Sequence, residues 1–213
     1  MLNSDYKNHD VRPRALVSDY IWVKENSLSR YFCNKVIKKF DKESGKYEGL
    51  IGSDRRVDKT IKDTKDFVLT RKQNWKKEDA VFCKALQQGI HEYNAYLQSF
   101  HIQNIPYTYK TVTDLGYKLL RYEPNGFYDW NNDWMMDQLN GSRIYVFMWY
   151  LNTIKKKDEG YTEFTDGTRL QPKCGSLVIF PATWTYLHRG FPPKVRKYIC
   201  NGWIYTQPFQ VIK

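Results

Sequence analysis

Polar and apolar positions change period part-way along the chain. In the first half, Leu28, Phe32, Val36, Ile37 and Phe40 recur at helical steps behind Ser27, so an amphipathic helix capped by Ser27 is predicted. Phe82, Leu86, Ile90, Tyr93 and Leu97 repeat the pattern and predict a longer helix from about Lys77 to Phe100. Ahead of both, Ala15 to Val23 alternates and reads as a first strand, while Asp41 to Lys65 is charged and weakly periodic, the pattern of a long loop with a short strand or two. From Leu115 onward the apolar runs become short and are bounded by Gly, Pro, Asn and Asp: Tyr117 to Tyr122, Ile144 to Leu151, Thr162 to Phe164, Ser176 to Phe180 and Tyr198 to Tyr205. Asp166-Gly167 between two such runs is a hairpin signal. Helices followed by strands predict an α+β fold, a β-sandwich core with the helices packed on one outer face.

Length and composition narrow this further. The 213 residues suit one domain. Residues 1–14 read as a polar leader and 15–213 as the domain, with helical support over 27–100 and the strand-rich core over 114–206. An aromatic share of 16% fits strands that carry much of the packing surface. The formal charge of +11 falls in short bursts such as Lys38-Lys39, Arg55-Arg56 and Lys155-Lys156-Lys157. Such a field attracts acidic partners, but with no helix concentrating it and no obvious stacking platform, nucleic acid ranks last among them. Cys33, Cys83, Cys174 and Cys200 show no CxxC spacing and read as reduced, packed thiols. No apolar leader and no run of about eighteen apolar residues occurs, so a soluble protein of a reducing cytoplasm, without membrane attachment, is expected.

The strand-rich half carries an ordered series of short motifs. Tyr122-Glu123-Pro124-Asn125-Gly126-Phe127-Tyr128-Asp129-Trp130 leads into Asn131-Asn132-Asp133; Trp149-Tyr150-Leu151-Asn152, Gly160-Tyr161-Thr162-Glu163-Phe164 and Pro172-Lys173-Cys174-Gly175 follow. His188-Arg189-Gly190 and then Lys197-Tyr198, running to Gly202-Trp203, complete it. Taken singly, His188 reads as a structural histidine, Asp133 as a turn acid, Lys197 as a solvated strand cation, and Tyr122 and Tyr150 as packed aromatics. As an ordered set the motifs resemble the prolyl 4-hydroxylase branch of the Fe(II)/2-oxoglutarate-dependent dioxygenases, over roughly residues 18 to 206 and most specifically after Tyr117.

The resemblance implies a double-stranded β-helix, or jelly roll, with Fe(II), 2-oxoglutarate and O2 as cofactors and ascorbate as an optional addition. Iron in such enzymes is held by two imidazoles and a carboxylate on one face, leaving positions for the 2-oxo acid and dioxygen. Asp133 would supply the carboxylate and His188, from a second, facing strand, the distal imidazole; residues 131 and 133, two apart on one strand, would share a face. Lys197 would neutralise the far carboxylate of 2-oxoglutarate, with Arg196 as the competing cation, Tyr150 as a hydroxyl donor to that carboxylate, and Tyr122 and Asn201 as further lining. Trp203, on the face of Lys197 by alternation, would wall the metal chamber.

One position departs from the family pattern: Asn131 stands where the first histidine is expected. An amide oxygen is a weaker iron(II) donor than imidazole. Three readings follow: Asn131 is a weak ligand, water completes the shell beside Asp133 and His188, or the site is a relic. The leading functional expectation is therefore hydroxylation of a C–H bond, with a prolyl residue of a peptide as the family's substrate and 2-oxoglutarate decarboxylated to succinate. The alternative is a catalytically inert jelly-roll module whose basic surface binds acidic partners or nucleic acid. Two positive loops, Gly52 to Lys65 and Thr153 to Glu159, are expected to flank the entrance and to favour an acidic substrate.

Overall fold

The computed structural model describes residues 17–52, 54–99, 112–137 and 141–206; the expected leader and Phe100 lie outside them. Where alternation predicts a strand from Ala15, Val17–Tyr20 forms a 3-10 turn and the strand β1 is confined to Trp22–Lys24. Ser18 and Asp19 are turn formers, and the carbonyls of Asp19 and Tyr20 accept hydrogen bonds from the Tyr96 and Tyr93 hydroxyls at 2.7 and 2.8 Å. The long helix thus satisfies groups that a ladder would otherwise have to satisfy.

Helix α1, Arg30–Lys42, is capped by Ser29, whose hydroxyl accepts from the Phe32 N–H at 3.1 Å. Ser27 instead accepts from the Trp149 indole at 3.1 Å, which holds the segment before the helix onto the sheet. Three two-residue strands, β2 at Tyr47–Glu48, β3 at Leu50–Ile51 and β4 at Arg56–Val57, occupy the expected loop, and β5, Lys65–Val68, ends it. Helix α2, Lys76–Ser99, buries the whole predicted stripe of Phe82, Leu86, Ile90, Tyr93 and Leu97.

The strands of the second half are β6 Val112–Asp114, β7 Lys118–Tyr122, β8 Tyr128–Asn131, β9 Met136–Asp137 and β10 Gly141–Tyr150, then β11 Thr162–Phe164, β12 Arg169–Leu170, β13 Leu177–Pro181, β14 His188–Gly190 and β15 Lys197–Thr206. An antiparallel sheet runs β1-β13-β10-β15-β7-β5-β2, with β6 added to β15 and β9 to β10; a smaller sheet runs β12-β11-β14-β8. Asp166-Gly167 turns β11 into β12, with Gly167 at φ +87°, a conformation that costs a side-chain-bearing residue dearly.

The large sheet is buried on both faces. Phe147, Trp149, Leu177, Ile179 and Cys200 pack with Phe40, Phe82 and Leu86 of the helices. Val146, Met148, Tyr150, Val178, Phe180 and Ile199 pack with Phe164 toward the small sheet. Two-faced burial explains the unbroken apolar run of β10, and each large side chain so enclosed contributes about 1.5–3 kcal/mol of transfer free energy. Gly89 permits the close approach of α2 to β13: a Cβ there would fall 2.4 Å from a Leu177 methyl. The fold is α+β with a jelly-roll core, and the two sheets enclose the cavity described next.

Candidate active site

A cavity of about 300 Å³ lies between the sheets. Alternation along β15 sends Lys197, Ile199, Asn201 and Trp203 into it, and alternation along β7 sends Lys118, Leu120 and Tyr122. Asn131 and His188 meet as register partners of β8 and β14. His188 therefore comes from an adjacent strand of the same sheet, not a facing one. Asp133 lies two residues past the end of β8, so irregular backbone, not strand periodicity, delivers it to the cavity.

Asp133 Oδ2 stands 3.4 Å from His188 Nε2. The other ring nitrogen, Nδ1, is 3.0 Å from the Tyr186 carbonyl, which fixes the proton there and leaves the Nε2 lone pair beside the carboxylate. Phe164 and Phe180 flank the ring, with centroids 5.7 and 5.0 Å away. Glu163 accepts from Arg169 and Arg189 at 2.7 Å each, tying β14 into the small sheet. Burial raises the Glu163 pKa, but those two guanidinium bonds outweigh it and hold the group below its ordinary value.

Asn131 behaves differently from a ligand. With its amide turned so that the nitrogen meets acceptors, Nδ2 donates to the carbonyls of Asp129 at 3.0 Å and His188 at 3.1 Å. The amide is a clamp between β8 and β14. Among the described residues, no group of three or more His, Cys, Asp or Glu side chains could hold a metal ion. The metal-donor side chains the cavity offers are Asp133 and His188, two of the three that the family pattern implies.

Lys197 occupies the deep end. It is 1% exposed, its Nζ donates to the Gly160 carbonyl at 3.0 Å and stands 4.0 Å from the Tyr122 ring centre, and among the described residues no carboxylate pairs with it. Burial alone pushes its pKa down to about 7. An ammonium so enclosed calls for an anion. Arg196 is excluded from this role: it is 57% exposed and paired with Glu123 at 2.8 Å. The Tyr150 hydroxyl is engaged at 2.8 Å with Thr162, and it is Thr162 that lines the cavity. Two lining atoms, Asn201 Oδ1 and Trp203 Nε1, are buried without a hydrogen-bond partner among the described residues, as expected of groups that meet a ligand.

The sequence reading missed Lys62, Lys118 and Arg143. Lys62 is buried against Asp66 at 2.7 Å, Lys118 is 3.7 Å from the same carboxylate, and Arg143 lies over the Trp203 ring at 3.8 Å while donating to the Asp133 carbonyl at 3.3 Å. Burial first, then the neighbouring Lys62, push the Lys118 pKa down to about 8. Of the two basic loops expected at the entrance, only the first contributes lining, through Gly52 and Lys62.

Residues 117–205 match the family model of the 2OG-Fe(II) oxygenase superfamily, a stretch that contains Asp133, His188 and Lys197 but not Lys62. The fold is that of the prolyl-hydroxylase-like 2-oxoglutarate oxygenases. A viral collagen prolyl hydroxylase from Paramecium bursaria Chlorella virus-1, solved with 2-oxoglutarate, superposes with a TM-score of 0.61 at 22% identity, over 87% of this chain and 95% of that one. A Pseudomonas putida prolyl-4-hydroxylase gives 0.61 at 16% identity over 88% and 93%. A Trichoplax adhaerens prolyl hydroxylase bound to a hypoxia-inducible-factor peptide gives 0.65 at 13% identity over 89% and 84%. No curated protein sequence matches the chain. Among the described residues, no helix is long and apolar enough to cross a membrane.

Proposed function

We propose that this chain is an Fe(II)- and 2-oxoglutarate-dependent oxygenase that hydroxylates a C–H bond of a second substrate. The observation that carries the reading is Lys197, a fully buried cation without a carboxylate partner among the described residues, at the closed end of a cavity that also holds the His188–Asp133 pair. Lys197 would bind the distal carboxylate of 2-oxoglutarate, with Thr162, oriented by Tyr150, as hydroxyl partner and Tyr122 and Asn201 as flanking contacts. Asp133 and His188 would hold the iron, Trp203 would wall its chamber, and Asn131 would stay a structural clamp. Bound iron(II) supplies dioxygen activation coupled to decarboxylation of 2-oxoglutarate to succinate. The chain's own residues position the co-substrate, exclude water with Phe164 and Phe180, and keep the His188 proton on Nδ1. The likeness to prolyl hydroxylases makes a prolyl peptide the first substrate to try.

Anaerobic addition of iron(II) and 2-oxoglutarate should produce the weak visible charge-transfer band of the chelated acid, and succinate should form on admitting air. A second reading, an inert binding module, is favoured by the engagement of the Asn131 amide with main-chain carbonyls. Binding of 2-oxoglutarate with no succinate under any substrate would establish it; absence of both band and binding would remove the oxygenase reading.

A further inference from the structure

The cavity carries more positive charge than iron and 2-oxoglutarate account for. Lys62, Lys118, Arg143 and Lys197 line it, against Asp133 in the lining and Asp66 directly behind. Counting these lysine, arginine and aspartate side chains alone among the described residues, two positive charges are unbalanced. A divalent cation adds two and 2-oxoglutarate removes two, so two remain to be met.

The cations lie toward opposite ends of the cavity. Lys197 is the register partner of Tyr122 and Lys118 that of Asn201, four residues along the strands, a Cα separation of about 13 Å. The four C–C bonds of a five-carbon diacid, about 1.5 Å each, span no more than about 6 Å. The ammonium heads diverge as well: Lys197 Nζ is held at the Tyr122 ring and the Gly160 carbonyl, whereas Lys118 Nζ lies 5.2 Å from the Trp203 ring. Exposure rises in the same direction, from 1% at Lys197 through 20% at Lys118 to 51% at Trp134, which also lines the cavity. The Lys118 end is therefore the mouth. Arg143, stacked on Trp203 and bonded to the Asp133 carbonyl, places a second cation beside the metal pair. The unpartnered Trp203 Nε1 adds a donor in the same corner.

We infer that Lys118, Arg143 and Trp203 form a second anion site at the mouth, which receives a carboxylate or phosphate group of the primary substrate close to the carbon that reacts. The inference deepens the oxygenase reading and rests on it, since the deep pole must be reserved for the co-substrate. Lys62 does not belong to the site; Asp66 neutralises it at 2.7 Å. A substrate without an anionic group would leave Arg143 and Lys118 near one indole ring, with Asp66 shared between Lys118 and Lys62, short of counter-charge.

The test uses the full chain saturated with 2-oxoglutarate and three probes, the N-acetyl amides of glutamate, phosphoserine and glutamine. Binding is read from tryptophan fluorescence, with Trp203→Phe identifying the reporter. At least one anionic probe should bind about 10-fold or more tightly than glutamine. Lys118→Met should erase that preference, Lys118→Arg should retain it, and the affinity for 2-oxoglutarate should change less than about twofold in both. Preference for glutamate assigns a carboxylate substrate, preference for phosphoserine a phosphate. Equal or absent binding of the three probes overturns the inference, as does a Lys118→Met chain that loses 2-oxoglutarate instead, because the second pole would then serve the co-substrate. A native chain that ignores 2-oxoglutarate, or a Lys197→Met chain that binds it normally, refutes the oxygenase reading separately.

Discussion

Replacing Lys197 by methionine should make the ligand-free protein more stable and unable to hold 2-oxoglutarate. The ammonium is 1% exposed and its pKa falls from 10.5 to about 7. At about 1.36 kcal/mol per pH unit, confining that charge costs the folded state on the order of 5 kcal/mol below neutral pH. Its hydrogen bonds to the Gly160 carbonyl at 3.0 Å and the Phe191 carbonyl at 3.5 Å return about 1 kcal/mol each at most. Methionine keeps the stem and its packing against Tyr122 without the charge, so a net gain of about 1–4 kcal/mol is expected, or roughly 2–4 °C per kcal/mol for a chain of this size. Without the cation, a bound carboxylate would lose about 2–5 kcal/mol, weakening 2-oxoglutarate by roughly 30-fold to several thousand-fold. Thermal unfolding with and without 2-oxoglutarate reads both effects together. A lysine that merely fastens β15 to the Gly160 loop predicts the reverse: a lower melting temperature and an unchanged ligand-induced rise. That outcome would refute the anchor.

The same lysine gives a pH signature. Since the unfolded chain keeps this proton up to about 10.5 and the folded one releases it near 7, the contribution of Lys197 to stability rises with pH between those values. Binding a dianion recharges it, so 2-oxoglutarate affinity should fall up to about tenfold per pH unit above 7, with proton uptake seen as buffer-dependent binding heats. Asn131→His should raise Mn(II) affinity about 10-fold or more by equilibrium dialysis while lowering metal-free stability by about 1 kcal/mol, because the clamp onto Asp129 and His188 is lost. A higher metal affinity with no change in stability would remove the clamp. Glu163→Gln should lower stability by about 1–2 kcal/mol, discounted for the partly exposed arginines, and the native advantage should itself vanish as pH falls through the lowered pKa of Glu163.

The jelly-roll half was legible because its strands obey a period of two and end in turn formers. Lys197, Asn201 and Trp203 could be placed on one face for that reason, and all three line the cavity. Asp133 reaches the site from beyond its strand, so alternation predicted its destination from the wrong premise. Arg143 could not have been found by counting. A register irregularity between Arg143 and Tyr145 shifts the face on which it emerges relative to Val146 and Met148. Lys118 did carry a signal, sharing parity with Leu120 and Tyr122, but a single lysine in a strand ordinarily reads as solvated. The helix cap was misplaced by two residues because Ser27 and Ser29 offer equal local chemistry, and only the distant Trp149 indole decides between them.

The fastening between β8 and β14 also bears on iron supply. Where a histidine in that strand would leave its imidazole waiting for a metal, the Asn131 amide closes its hydrogen bonds within the polypeptide itself. The barrel mouth is thereby held in shape with or without a bound metal, and treatment with a chelator should leave the melting temperature of this protein unchanged.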